Sequence, residues 1–102
     1  MNNNRRKTLK SLIKQLEEVY EKFENLKSDC EEISQAISDI RNEEEEAYDN
    51  LPEGIQESER GERMQEVIEH LESAIDEIDN VDIDDILSYL DSTTEAINNA
   101  IE

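Results

Sequence analysis

Glu62, Glu66, Glu69, Glu72, Asp76 and Asp79 recur at steps of three and four, so on a helix they form one drifting carboxylate stripe. Neighbours in such a stripe stand about 5–6 Å apart, not far from the spacing of phosphates along a nucleic-acid strand. The chemistry this allows is recognition by charge, a stiff negative face occupying the basic groove of a nucleic-acid-binding protein. The plainer reading is a solvated helix face. Charge runs are usually just that, and one-sidedness raises the first reading, since no Lys or Arg follows Arg63.

Other chemistries find less to build from. Asn80, Asp82, Asp84 and Asp91 occupy the first, third, fifth and twelfth places of a calcium-loop template, but Asp85 stands where the template needs glycine. His70 is the only histidine and Cys30 the only cysteine, which leaves no zinc set, no histidine-based catalytic pair and no intramolecular disulfide. Asp29, Glu31 and Glu32 oppose a thiolate at Cys30, so a small buried hydrophobe is expected there. No catalytic, cofactor-binding or metal-binding residue is expected. The chain does not read as an enzyme.

Charge bounds the partners. A formal net charge of −19 repels free nucleic acid and anionic membrane and favours a basic protein surface. No segment reaches the roughly 18 apolar residues of a membrane span, and MNNNRRK is not followed by a signal-type apolar run. The expected location is the cytoplasm, that of the host cell should the chain be phage-encoded.

Positioning falls to helices. With 34% hydrophobic and 38% charged residues and no tryptophan, the 102 residues suit elongated helices that bury one stripe, not a deep core. From Leu9, apolar residues follow heptad spacing: Leu12, Leu16, Val19, Phe23, Leu26, Cys30, Ile33, Ile37 and Ile40, then Glu44 and Ala47. Ile13, Tyr20 and Tyr48 widen that stripe toward a face able to meet two neighbours. The spacing predicts an all-α elongated antiparallel hairpin or coiled coil in one helical domain, residues 1–102. A helix runs over about 5–48, a turn over 49–57, and return helices over about 58–79 and 83–101. The alternative is a continuous return helix that absorbs a stutter near residues 80–83.

Asn50, Pro52 and Gly54 end the first helix, and Tyr48, Leu51, Pro52 and Ile55 are expected to close the bundle end. Ser58 is the expected N-cap of the next helix, and Asp82 with Asp85 resembles another cap and first turn. Two charge expectations follow. Arg60 and Arg63 should answer the run Glu43–Glu46, unless a partner's arginines do. Arg5, Arg6, Lys7, Lys10 and Lys14 should neutralise Asp91, Glu95 and Glu102, the alternative being contact with nucleic acid or a membrane surface.

The wording of the turn, Tyr48-Asp49-Asn50-Leu51-Pro52-Glu53 followed by Ser58-Glu59-Arg60-Gly61-Glu62, resembles small acidic helical-hairpin proteins of phages and mobile elements. The resemblance extends over most of the chain and weakens beyond Asp79. It implies a setting, not a mechanism, and small acidic phage proteins often inhibit host defence or nucleic-acid enzymes. The expected function is a binding module that blocks a basic host protein through Glu62, Glu66, Glu69, Glu72, Asp76 and Asp79. The alternative is a structural coiled-coil homodimer, higher oligomer or adaptor.

Overall fold

No proline or glycine occurs between Arg5 and Tyr48, and in the computed structural model, which describes Met1–Glu102, this stretch lies in one uninterrupted helix, α1 (Asn3–Asp49). Its 47 residues give a length of about 70 Å. Asn2 Oδ1 accepts from Arg5 N at 2.8 Å, so the polar lead supplies the first cap. Three helices follow: α2 (Glu53–Gln56), α3 (Glu59–Asp79) and α4 (Ile83–Ile101). The protein is all-α, 89% helical and without strands. None of its helices is long and apolar enough to cross a membrane.

The chain divides into two compact units, one of Met1–Ser28 with Asp82–Glu102 and one of Asp29–Val81. In the first, the start of α1 runs antiparallel to α4. Lys27 Nζ meets Asp84 Oδ1 at 2.9 Å, and Tyr20, one heptad earlier, lies beside Asp91, one heptad later. The Asp91 carboxylate is the chief reason the Tyr20 phenol is raised above its ordinary value. Ile83 and Leu87, at 7% and 8% exposure, are the buried core of this unit.

In the second unit, the end of α1 runs antiparallel to α3. Ser34 Oγ donates to Asp79 Oδ1 at 2.7 Å, Arg41 grips Glu72, and Gln65 Nε2 donates to the Tyr48 hydroxyl at 2.9 Å. These contacts fall one heptad apart on both helices, in opposite directions. They form a ladder of polar rungs along one flank of the hairpin.

The ladder corrects half of the heptad reading. Leu9, Leu16, Phe23, Cys30, Ile37 and Glu44 are partly buried as expected, but their seam companions are Ile13, Tyr20, Lys27, Ser34, Arg41 and Tyr48. Leu12, Leu26, Ile33 and Ile40 remain 40%, 49%, 51% and 51% exposed. The return helices carry Asp84, Asp79 and Glu72 where they meet Lys27, Ser34 and Arg41, so polar pairs line the flank of α1 that faces them. Hydrophobicity alone would have chosen the other flank.

The corner is closed by backbone and by one side-chain amide. Leu51 N donates to Tyr48 O at 3.0 Å, and Pro52 O accepts from Ile55 N at 2.8 Å and Gln56 N at 3.0 Å. Gln56 Nε2 also donates to Tyr48 O at 3.0 Å, a second bond to a carbonyl at the end of α1. Tyr48 and Leu51 are half-buried here, whereas Ile55 is 37% exposed. Ser58 does not cap α3 with its side chain; its hydroxyl donates backwards to Ile55 O. Gly61 is buried because α3 starts directly against the α2 backbone, and a Cβ there would lie 2.7 Å from Ile55 O and closer still to Gln56 O.

The return is broken at Asn80–Asp82. Asp82 Oδ1 accepts from Asp85 N at 3.1 Å and starts α4 as a side-chain N-cap.

Candidate acidic interaction face

α3 starts with Glu59 and Glu62 in its first turn, where carboxylates suit the positive helix end. Beyond that turn the six carboxylates of the stripe separate into two groups. Glu72 and Asp79 sit at the edge nearest α1 and are engaged there. Glu62, Glu66, Glu69 and Asp76 are exposed on the outer face, and of these Glu66 alone makes an ion pair, 3.1 Å from Arg63. The outward face is therefore four carboxylates, not six.

Arg41 is the hub of the inner edge. Its Nη2 and Nε lie 2.7 and 3.1 Å from Glu72 Oε1, while Nη1 lies 2.9 Å from Glu45 Oε2 and donates to Asn42 Oδ1 at 3.0 Å. The hydrogen bond that Arg41 donates to Glu72 is the main reason the guanidinium is held above its ordinary value. Spacing in the sequence could have found this residue: Arg41 is the only cation between Lys27 and Arg60, set among acids.

Two charge expectations fail. Arg63 turns along α3 to Glu66, and the only one of Glu43–Glu46 to gain an ion pair is Glu45, which goes to Arg41 in its own helix. Arg5, Arg6, Lys7, Lys10 and Lys14 make no ion pair with Asp91, Glu95 or Glu102. Arg6 instead packs half-buried, with its Nε lacking a hydrogen-bond partner. Long exposed side chains gain too little from a loose surface pair to be held in one geometry.

The calcium-template residues do not converge. Asp82 caps α4, Asp84 meets Lys27, and Asp91 lies beside Tyr20. No group of three or more His, Cys, Asp or Glu side chains is placed to hold a metal ion. Cys30 is half-buried on α1, and His70 is exposed on α3.

Asp85 is raised above the usual carboxylate range, chiefly by the Asp82 charge, then by its hydrogen bond, burial and Asp84. The folded state thus holds this proton more tightly than the unfolded chain. Its contribution favours folding at acid pH and is lost as pH rises through the raised value. Self-repulsion at −19 acts in the same direction. Melting temperature should rise as pH is lowered from neutral toward the ordinary carboxylate range, and Asp85→Asn should shrink that rise. A melting temperature that falls over this range would contradict the assignment.

No protein-family model, curated protein or solved structure matches the chain, so the resemblance read at the turn stands on its own residues.

Proposed function

We propose that this chain is a small acidic protein-binding module that inhibits a basic, nucleic-acid-binding host protein by occupying its groove, acting in the host-cell cytoplasm. One observation carries the reading: Glu62, Glu66, Glu69 and Asp76 stand exposed on one helix that, past Arg63, has no cation to answer them. A rigid helix keeps these charges at fixed intervals without further ordering cost on binding. Complementary charge gives fast, salt-sensitive association. The phage setting is what the turn resemblance adds.

Capture from host lysate at low salt should retain a basic nucleic-acid-binding protein, released by competing duplex DNA. Reversing Glu62, Glu66, Glu69 and Asp76 to Lys should weaken retention by about a hundredfold or more. Unchanged binding by that variant would end the proposal. A second reading, a coiled-coil oligomer or adaptor without inhibitory activity, is favoured by the uncovered apolar row on α1.

A further inference from the structure

α1 gives its own chain the more polar flank of its heptad seam. On the other flank, Leu12, Val19, Leu26, Ile33 and Ile40 recur at seven-residue intervals, four of them at least 40% exposed. An apolar row at seven-residue intervals supplies one of the two positions per heptad through which helices pair in a left-handed supercoil, and on this flank the other position carries Lys22, Asp29 and Glu43. Isolated exposed leucines need no explanation, but a continuous row marks an interaction surface.

Charge on the same flank identifies the occupant. Arg5 lies two residues from the start of α1, one heptad before Leu12, and Lys22 and Asp29 border the middle of the row. Glu43 and Glu46 border its far end. All five are exposed and none makes an ion pair within the chain. A second α1 laid antiparallel and centred on Leu26 sets Leu12 opposite Ile40 and Val19 opposite Ile33, since Leu26 is two heptads from each end. The same register brings Lys22 beside the partner's Asp29 and sets Arg5 opposite the partner's Ala47, within a turn of Glu43 and Glu46. A parallel pairing would instead stack the four-glutamate runs on each other. The row is self-complementary in one orientation only.

We infer that α1 is the interface of an antiparallel, two-fold-symmetric homodimer, zipped by the Leu12–Ile40 row and keyed by Arg5, Lys22, Asp29 and Glu43. This does not rest on the mimicry reading, because Glu62, Glu66, Glu69 and Asp76 point away from the apolar flank of α3 and stay open.

Sedimentation equilibrium of the full chain at about 10–100 µM should give twice the monomer mass. Leu26→Glu, at a site half-exposed in the single chain, should leave helicity by circular dichroism intact and raise the dimer Kd by about a hundredfold or more. Orientation is read by disulfide trapping in a Cys30→Ser background. Chains carrying Leu12→Cys, mixed with chains carrying Ile40→Cys, should form the mixed disulfide and little of either homodisulfide. A concentration-independent monomer, a dimer indifferent to Leu26→Glu, or preferential Leu12→Cys homodisulfides would each overturn the proposal.

Discussion

Gly61→Ala should unseat the corner, costing about 1–3 kcal/mol of stability even though alanine is the better helix former. Gly61 has no positive φ, so the ordinary argument for glycine fails here. Space is the reason. The added methyl would meet the carbonyls of Gln56 and Ile55, which are backbone and cannot swing aside as a flexible side chain would. Relief requires α3 to move off α2. That movement would loosen the corner where Gln56 reaches the end of α1 and disturb the Tyr48–Gln65 rung. The gain in helix propensity, about 1 kcal/mol, offsets only part of this. Melting temperature should fall by several degrees, roughly 4–8 °C per kcal/mol at this chain length. Gly54→Ala is the matched control. Nothing lies within 4 Å of a Cβ there and its φ is negative, so that variant should be neutral or stabilised by about 0.4–1 kcal/mol. Equal melting temperatures for the two variants would refute the close-approach account.

Leu87→Ala should be the most damaging single truncation in the first unit, at about 2–4 kcal/mol. Leu87 and Ile83 are the only buried apolar side chains, so no second layer of core can collapse into the space. Elsewhere the hairpin is held by half-covered residues, each of which loses less on truncation because it removes less surface from water. The effect should be local. Amides of α4 should lose hydrogen-exchange protection first, while those of α3, which belong to the other unit, retain theirs. Ser88→Ala, an exposed neighbour, should change stability by about 0.5 kcal/mol or less. Denaturant titration of the three proteins measures the difference, and a Leu87→Ala chain as stable as the Ser88→Ala chain would contradict the assigned core.

Backbone punctuation was legible from residue types because its causes are local. Pro52 and the glycines marked the corner, Asp82 marked the start of α4, and an unbroken run without either breaker marked α1. The rotation of α1 was not legible. Leu12, Leu26, Ile33 and Ile40 make as good a heptad row as any hairpin could ask for, and apolar spacing has no way to say which flank faces which neighbour. Lys27, Ser34 and Arg41 mark the flank that faces inward, and their partners lie a long way off in sequence. The acidic face was half legible for the same reason. Spacing placed six carboxylates on one helix, but only cross-helix contacts could show that Glu72 and Asp79 are engaged by α1.

α1 also places Arg5, Arg6, Lys7 and Lys10 at its amino end and Glu43–Glu46 with Asp49 at its carboxyl end. Side-chain charge and backbone dipole therefore add where most helices set one against the other. α3 and α4 run antiparallel to α1 and offset the dipole part, so it is the side-chain charges spread along about 70 Å that make α1 in effect a compass needle. A highly charged neighbour exerts a torque on it before any contact forms, and turns it carboxyl end first toward positive surfaces. Antiparallel pairing cancels that needle, leaving an assembly that still attracts basic surfaces but no longer chooses which end to present.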